Sequence, residues 1–348
     1  MKPILIVGQG LAGTILALNL RKLDLPFLIV DDGHRTSSSL VAAGLYNPLI
    51  LKRGRLTWRA LDFFHTCEAF FRQCEMDFGT SFLHSDGLHR RIHDTEEYNN
   101  WAALRGLPEV GSFVDGYVSA KRFPATFDLP FDTCKVKGGW LDVAAFLEAA
   151  LDSFIAKEEF QKAEFAPEDV VQKEGEWSWK ERTFSRIVLC TGYKSMDDKT
   201  FFPDLPFTPA KGHTMDIHWP GVALDKVIQA SVFVLPLGDD TYRVGSTYSW
   251  SDFNEEVEQN EIYKLKTQLT ELCDLSYTVL TERAGVRPAV KDRRPLIGES
   301  KEHKGVWHFG GFGSRAVLTC PTLSKEFIEA FMGRAVLNAE VSLDSRCP

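Results

Sequence analysis

The feature that most constrains the fold is a strand, a glycine-rich turn and a helix at the start of the chain. Ile4–Val7 is a short apolar run typical of a buried parallel strand, and Gly8–Gly13 follows it with the spacing GxGxxG. Thr14–Leu23 then carries apolar residues at helical spacing, and a second apolar run, Phe27–Val30, ends in two acids. This order predicts a βαβ unit, the element that opens many doubly wound α/β folds.

Each part of this unit has a role in holding a dinucleotide. Gly8 permits the tight turn, Gly10 lets the backbone approach a pyrophosphate, and Gly13 lets the helix pack closely on the strand. The helix N-terminus offers N–H groups and a partial positive charge to the phosphates, and the acids accept hydrogen bonds from a ribose. The predicted contacts are Gly8, Gln9, Gly10, Leu11, Ala12, Gly13, Asp31 and Asp32. The alternative is a glycine-rich turn that binds nothing, and the motif alone does not distinguish NAD from FAD.

The composition is typical of a soluble globular enzyme, with 44% hydrophobic and 25% charged residues in a chain of 348. The net charge of −8 carries no overall signature of a nucleic-acid or anionic-membrane partner. The 7 Cys form no CxxC and no Cys/His cluster, which indicates reduced thiols and no metal site. Without a signal-peptide pattern or an apolar run of the ~20 residues that a membrane span needs, we expect a cytoplasmic protein.

Two internal segments have the composition of cofactor contacts. Ser38–Gly44 is rich in hydroxyls and small residues, which suit a backbone that lies against a phosphate or a flat ring. The contacts predicted from it are Ser38, Ser39, Ala42, Ala43 and Gly44, and the alternative is a capped helix start. Arg186–Gly192 predicts a buried apolar strand that ends in Thr191-Gly192, rejoins the first sheet and brings its backbone beside the nucleotide. The alternative there is another buried strand followed by a turn.

The C-terminal part repeats the pattern of strand, glycine-rich turn and helix. Val306–Phe309 predicts the strand, and a helix follows from about Val317 to Met332. A helix start of this kind is a second potential site for an anion or a carbonyl. The contacts predicted from this turn are Gly311, Phe312, Gly313, Ser314, Arg315 and Ala316.

The remaining segments predict the walls of a ligand cleft. Lys211–Ile217, Phe233–Leu237 and Tyr242–Tyr248 are predicted as antiparallel strands. Helices are predicted over Trp58–Glu75, with Leu61, Phe64, Cys67, Phe71 and Cys74 in its core stripe, over Val143–Ala156, and over Asn254–Cys273. The acidic run Glu255, Glu256, Glu258 and Glu261 is interpreted as a solvated face, and 80–130 as short strand-like pieces.

Taken together, these blocks resemble the FAD-dependent oxidoreductases of the D-amino-acid oxidase and glycine oxidase superfamily along essentially the whole chain. Ala284–Pro288, with Asp292 and Pro295–Gly298, is the most specific match. Gly138–Asp142 is similar to a family marker, and Thr191-Gly192 resembles the strand-ending Ala-Thr-Gly of the family, with Cys in place of Ala. The resemblance implies that the dinucleotide is FAD. No His or Lys in the sequence shows the pattern of covalent flavin attachment, so we expect FAD to be bound without a covalent link.

Within this superfamily, three short motifs look most like the FAD domain of the bifunctional tRNA 5-methylaminomethyl-2-thiouridine biosynthesis enzymes. These are Leu45-Tyr46, Asp292-Arg293 and Gly313–Arg315. This closer resemblance implies FAD-dependent removal of a carboxymethyl group from a modified wobble uridine, with tRNA as the partner. The net charge of −8 argues against routine tRNA binding.

The fold implied is α/β (α+β overall), with a Rossmann-like FAD-binding domain and a smaller antiparallel-sheet substrate domain, both discontinuous in sequence. We predict that residues 1–75, 131–206 and 280–348 form the FAD-binding domain, and that residues 76–130 and 207–279 form the substrate domain. In this arrangement the cofactor lies between the two domains.

The activity implied is oxidation of the C–N bond of a small amine or amino acid, of the glycine, sarcosine or D-amino-acid kind. The imine formed is hydrolysed by water, and the flavin is reoxidised by O2 or another acceptor. Besides the tRNA reaction, a second alternative is a non-catalytic flavin- or NAD-binding protein, such as a sensor or a partner subunit. A dehydrogenase that uses NAD would leave the C-terminal glycine turn without a role.

Arg287 is the main candidate for binding a substrate carboxylate, because a guanidinium stays charged and pairs bidentately. The alternative is a structural arginine paired with a nearby acid. Arg315 is predicted to contact the substrate or the pyrimidine end of the flavin, and Arg243 to supply a cation that favours oxygen reduction. Tyr46, Tyr248 and Trp250 are candidate pocket walls or core residues, whereas His213 and His308 have no spacing that suggests a triad or a metal site.

Overall fold

The computed structural model describes residues 2–33 and 37–347, in which two large sheets enclose a cleft. The strands are β1 (Ile4–Val7), β2 (Phe27–Asp31), β3 (Leu45–Tyr46), β4 (Leu49–Ile50), β5 (Arg55–Leu56), β6 (Leu83–His84), β7 (Leu88–Arg90), β8 (Val114–Val118), β9 (Thr133–Val136), β10 (Gly139–Leu141), β11 (Phe160–Lys162), β12 (Val170–Lys173), β13 (Glu176–Trp179), β14 (Arg182–Phe184), β15 (Arg186–Leu189), β16 (Ala210–His218), β17 (Val227–Gln229), β18 (Phe233–Gly238), β19 (Thr241–Gly245), β20 (Thr278–Arg287), β21 (Leu296–Glu299) and β22 (Val306–Gly310). The α-helices are α1 (Leu11–Arg21), α2 (Ser38–Val41), α3 (Ala60–Phe78), α4 (Thr95–Arg105), α5 (Pro108–Gly111), α6 (Val143–Ala156), α7 (Gln259–Thr270), α8 (Ala316–Phe331) and α9 (Leu343–Arg346).

The first sheet has six strands in the order β11-β2-β1-β15-β22-β21, and all are parallel except β21. Alternate residues of β1 point to opposite faces, as the pleat of a strand requires. Ile4 and Ile6 pack in the core that contains α1, α3, α6 and α8, whereas Leu5 and Val7 pack in the core that contains Trp177 of the β12–β14 meander. Because both faces are covered, β1 is apolar at every position.

The second sheet has eight strands in the order β20-β16-β19-β18-β17-β7-β9-β8 and is antiparallel except between β17 and β7. Met215 and Ile217 of β16 face a core that includes Leu265 and Leu269 of α7. Gly212 and Thr214, at the alternate positions of β16, face the cleft. The predicted mixed α/β fold, with a doubly wound sheet and a largely antiparallel one, is confirmed.

The division of the chain into domains at the predicted residues stays a prediction. The structure places β9 and most of β20 in the eight-stranded sheet, although their residues fall within ranges 131–206 and 280–348. Each of these strands completes the sheet by pairing with a neighbour from the predicted substrate ranges, β7 and β16 respectively.

Three predictions about helices were wrong in detail. Range 80–130 contains α4, whose polar sequence buries only Trp101 and therefore lacks a helical apolar stripe. Leu61 lies outside the core stripe of α3 and is 50% exposed, because Phe63 and Phe64 occupy the buried face. Only part of the acidic run is a solvated face: Glu256 is exposed, whereas Glu258 pairs with the fully buried Lys211 and Glu261 is itself buried.

Within the described residues, no helix is long and apolar enough to cross a membrane. The same part of the chain contains no group of three or more His, Cys, Asp or Glu side chains placed to hold a metal ion.

Candidate active site

A cleft of about 610 Å³ runs between the carboxyl ends of the parallel strands and the open face of the eight-stranded sheet. The crevice outside the carboxyl ends of a doubly wound sheet is where such folds bind ligands. The predicted cofactor residues that line it are Gly8, Gly10, Leu11, Ala12, Asp31, Asp32, Ser38, Ser39, Ala42, Ala43, Gly44, Thr191, Gly192, Gly311, Phe312, Gly313, Ser314, Arg315 and Ala316. Gln9 and Gly13 are the two predicted residues that do not line it.

The glycines at the start of the cleft serve two different purposes. A Cβ on Gly13 would lie 1.9 Å from the carbonyl oxygen of Gly8, and a Cβ on Gly8 would lie 2.6 Å from that of Cys190. These two glycines therefore allow close packing of helix and strands. Gly10 instead faces the cleft, caps α1 without a side-chain hydrogen bond, and would place a Cβ 3.2 Å from Ser39 Oγ. With no acid in the first turn of α1, this end suits a pyrophosphate.

Asp31 is held in a fixed position at the end of β2. Its Oδ2 accepts a hydrogen bond of 2.7 Å from the backbone N–H of Gln9, and its Oδ1 accepts one of 2.7 Å from Gly33. A carboxylate oxygen can accept more than one hydrogen bond, so both oxygens retain capacity for ribose hydroxyls. Gln9 therefore serves the site by orienting Asp31. These features fit the ADP half of FAD.

The segment Ser38–Gly44 begins with the short helix α2, whose N-cap residue Ser37 makes no side-chain capping hydrogen bond, and it also lines the cleft. A Cβ on Gly44, which has a φ of +66°, would lie 2.0 Å from the carbonyl oxygen of Leu141. Thr214 Oγ1 donates to the carbonyl of Val41 over 3.5 Å, which ties the segment to the second sheet. The segment is therefore fixed between the two sheets.

Arg287 ends β20 and projects into the cleft. Its Nη2 donates to Ser246 Oγ at 2.9 Å and its Nη1 to the carbonyl of Thr247 at 3.3 Å, while its Cζ lies 4.2 Å from the ring centroid of Tyr248. Gly212 makes room for it, since a Cβ there would lie 2.2 Å from Nη2. Burial lowers the pKa of the guanidinium, and no ion pair within residues 2–33 and 37–347 includes it. The alternative, that Arg287 is a structural arginine paired with an acid, does not agree with its contacts among the described residues.

Arg315 lies at the start of α8 and enters the cleft from the glycine turn. Its Nη1 donates to the carbonyl of Asn47 at 3.4 Å. Burial, followed by the nearby charge of Arg293, lowers the pKa of Arg315 to about 10, so the side chain stays charged at neutral pH. Like Arg287, it forms no ion pair with a described carboxylate.

The candidate aromatic walls differ in position. Tyr248 and Trp250 are 52% and 68% exposed, and their rings stack 6.4 Å apart at an interplanar angle of 28°. Tyr248 lines the cleft, whereas Trp250 does not. Tyr46 also lines it but is fully buried, donates its hydroxyl to Glu68 at 2.9 Å and has a pKa raised by burial, so its proton is engaged away from a substrate.

Of the three candidate arginines, Arg243 does not line the cleft. Its Nε and Nη2 donate to Asp216 at 2.8 and 3.1 Å, and Arg283 donates to the same carboxylate at 2.6 Å. Burial alone would raise the pKa of Asp216, but these hydrogen bonds outweigh it and lower that pKa. Arg243 also reaches the carbonyl of Ala42 at 3.4 Å, so its contacts are those of a support for the Ser38–Gly44 segment.

Several cleft residues were missed by sequence reasoning. The residues that follow β11 or β15 are Ala163, Glu164, Phe165 and Tyr193. Those on or after β17, β18 and β19 are Gln229, Ser231, Val232, Phe233, Ser246 and Glu255. Phe165 could have been found only by knowing that β11 pairs with β2 in parallel, which brings its end to the same edge of the sheet. Burial and the Glu255 carboxylate raise the pKa of Tyr193 to about 12.

The two candidate histidines are structural. His213 Nδ1 lies 3.0 Å from Thr247 Oγ1, and its Nε2 accepts a hydrogen bond from the Glu258 backbone N–H. His308 is fully buried, with Nδ1 2.8 Å from the carbonyl of Leu296. Neither residue lines the cleft.

Acid is expected to destabilise the protein partly through His308. Burial lowers the pKa of His308 from 6.5 to about 4. Between these values the unfolded chain binds the proton and the folded chain does not, so stability falls as the pH is lowered, by about 1.4 kcal/mol per pH unit below the unfolded pKa. His308→Leu should flatten the slope in the free energy of urea unfolding between about pH 7 and 5. The exposed His65→Leu is the control, and an equal slope in both variants would contradict the assignment.

Comparison with known proteins agrees with this site. A family model described as FAD dependent oxidoreductase (DAO) matches residues 3–330. Glycine oxidase of Pseudomonas putida is 23% identical over 362 residues, which cover 95% of each chain. Glycine oxidase from Bacillus cereus ATCC 14579 has a similar structure, with a TM-score of 0.79 and 18% identity over 97% of this chain and 96% of that one. Iminodiacetate oxidase from Chelativorans sp. BNC1 gives a TM-score of 0.81 and 19% identity over 96% of each chain.

The model match extends over nearly the whole chain and includes both glycine turns that line the cleft. The superfamily predicted from the sequence motifs and the prediction of an oxidoreductase are thereby confirmed. The chain belongs to the DAO family of FAD-dependent oxidoreductases.

Proposed function

We propose that this protein oxidises the C–N bond of a small amine or amino acid that carries a carboxylate. The observation that carries this proposal is Arg287, a partly buried guanidinium that lines the cleft and pairs with no described acid. A buried charge without a partner is costly, so such a group is typical of a site that binds the opposite charge. The relatives that act on glycine and iminodiacetate support the same substrate class.

When bound, FAD supplies the acceptor for a hydride equivalent from the carbon that bears the nitrogen. The chain itself binds and orients the substrate. Arg287 fixes the carboxylate, and Ser246 and the Thr247 carbonyl hold the guanidinium in place. The amine must be neutral to react, and the positive charges of Arg287 and Arg315 disfavour its ammonium form. The imine is then hydrolysed by water.

We also propose that FAD is held without a covalent bond. No His is among the described residues that line the cleft, and the one Cys among them, Cys190, is buried. Burial raises the pKa of its thiol, so the reactive thiolate is disfavoured. Denaturation in acid should therefore release the flavin into the supernatant, and yellow precipitate would contradict this proposal.

The experiment that tests the function is anaerobic reduction of the purified holoenzyme. The visible spectrum should show bound flavin, and its bleaching is measured with glycine, sarcosine, iminodiacetate, D-amino acids and tRNA bearing the carboxymethylated wobble uridine. Bleaching by a free amino acid supports the proposal. Bleaching by the modified tRNA alone would replace the proposed substrate with that tRNA, and no bleaching by any of them would favour a non-catalytic flavoprotein.

The electron acceptor is tested on the same enzyme. We propose O2, and hydrogen peroxide should then appear in proportion to the substrate consumed in air. Turnover that requires an added dye and yields no peroxide would identify a dehydrogenase with another acceptor.

A further inference from the structure

Two guanidiniums that form no ion pair with a described acid line the same cleft. Arg287 ends β20, and Arg315 follows the glycine turn before α8. The two segments are tied together, because the backbone N–H of Gly313 donates to the carbonyl of Pro288 at 3.0 Å. The Arg287 Cζ lies 4.2 Å from the ring centroid of Tyr248, which also lines the cleft. Both guanidiniums therefore belong to one cleft and are carried by adjoining segments of the backbone.

A single substrate carboxylate compensates only one of these two positive charges. Arg287 donates hydrogen bonds to Ser246 and Thr247, and Arg315 donates one to the carbonyl of Asn47 at 3.4 Å. Each guanidinium therefore retains N–H donors for a ligand. Both side chains are partly buried, burial lowers the pKa of each guanidinium, and the charge of Arg293 adds to the positive potential around Arg315. Two partly buried cations with one anion leave one charge uncompensated, which is costly where water is partly excluded.

We propose that the preferred substrate is a secondary amine with two carboxylates, one bound by Arg287 and the other by Arg315. This inference rests on the proposed function and names its substrate class. N-(carboxymethyl)glycine, that is iminodiacetate, has the chemistry required: two carboxylates flank one nitrogen, and each is separated from it by one carbon. Oxidation removes two electrons and two protons from the N–CH2 unit, and water cleaves the resulting imine to glyoxylate and glycine. The two electrons pass to FAD, the acceptor of the proposed reaction.

The test compares two pairs of compounds on the holoenzyme, each pair differing by one carboxylate. Iminodiacetate and sarcosine report on reaction, and the sulfur analogues thiodiacetate and (methylthio)acetate report on binding without oxidation. Calorimetry should give thiodiacetate a Kd roughly 10- to 100-fold below that of (methylthio)acetate, as expected for one added charge-assisted interaction. Equal Kd values for thiodiacetate and (methylthio)acetate in the wild-type protein would overturn the proposal.

Variants assign the second carboxylate to its residue. Arg315→Gln should remove most of the difference between thiodiacetate and (methylthio)acetate, and Arg315→Lys should restore part of it. Arg334→Gln removes a surface charge that pairs with Glu329 outside the cleft. The difference in Kd between thiodiacetate and (methylthio)acetate should therefore persist in this variant. A difference retained in Arg315→Gln would overturn the assignment.

These outcomes separate this proposal from the proposed function. A strong preference for thiodiacetate without flavin bleaching by iminodiacetate supports the two-carboxylate site and contradicts amine oxidation. Bleaching at the same concentrations of sarcosine and iminodiacetate supports amine oxidation and contradicts the two-carboxylate site.

Discussion

Arg287→Gln is expected to raise the KM for a carboxylate-bearing amine roughly 30-fold or more, since loss of one partner of a buried charged pair costs about 2–5 kcal/mol. The guanidinium contributes a charge, a planar pair of donors and a fixed position, and Gln retains only one polar group. The residue does not touch the N-terminal glycine turn, so the variant should still bind FAD. Steady-state kinetics and the ratio of flavin to protein absorbance measure these two effects.

Arg287→Lys is the matched variant for this experiment. It keeps the charge and loses the fork that binds both carboxylate oxygens, so its KM should lie between the wild-type and Gln values. Arg334→Gln, which removes a charge outside the cleft, should behave as wild type. A KM in Arg287→Gln equal to the wild-type value would remove Arg287 from the substrate site, and loss of flavin would instead show a structural role.

The second large effect is expected from alanine substitutions at two glycines of the first turn, Gly13 and Gly10. The first should impair folding and the second should impair FAD binding. In Gly13→Ala the added methyl meets the Gly8 carbonyl oxygen at 1.9 Å, so the backbone must shift and the protein loses stability, by about 1–3 kcal/mol for overpacking. In Gly10→Ala the methyl meets only Ser39 Oγ at 3.2 Å and points into the cleft. This variant should fold normally and bind FAD about tenfold or more weakly, a loss of about 1.4 kcal/mol.

Thermal denaturation of the apoprotein and titration with FAD distinguish the two effects. Gly13→Ala should lower the Tm, whereas Gly10→Ala should lower the affinity for FAD at a nearly wild-type Tm. Gly106→Ala, at the end of α4, is the control for adding a methyl to a glycine elsewhere. If Gly10→Ala bound FAD as tightly as the wild type, the pyrophosphate would not lie against Gly10.

The local parts of the fold were predictable from residue type and spacing. The strand Ile4–Val7 and the helix Val143–Ala156 were predicted with their observed bounds, and the strand predicted from Arg186 ends at Leu189, before the predicted Thr191-Gly192. Both faces of the first sheet are buried, which makes its strands continuously apolar, and an Asp N-cap marks the start of α6. Helix α4 was missed because it is polar and buries little, so it carries no periodic signal.

The chemistry of the arginines was not predictable in the same way. From their positions in the sequence, Arg243, Arg287 and Arg315 were all candidates for the active site. Their contacts differ because of the way the strands pair in the folded protein. Antiparallel pairing of β16 with β19 puts Asp216 opposite Arg243, which neutralises it, although 27 residues separate the two. Pairing of β16 with β20 puts Gly212 opposite Gly285 and leaves open space for Arg287.

The sequence by itself determined the dinucleotide turn and the two glycine-rich helix starts, because these depend on backbone freedom and on apolar patterns within about thirty residues. It also determined the family, through short motifs that follow one another along essentially the whole chain. The tertiary structure decided which charged side chains have partners. A charge becomes a binding group when burial removes water and distant strands withhold a counter-charge, and this depends on contacts between residues far apart in the chain. Gly8 and Gly10 could therefore be assigned from the first lines of the sequence. The pair of Arg287 and Arg315, neither of which has an ion pair with a described acid, became visible only in the folded protein.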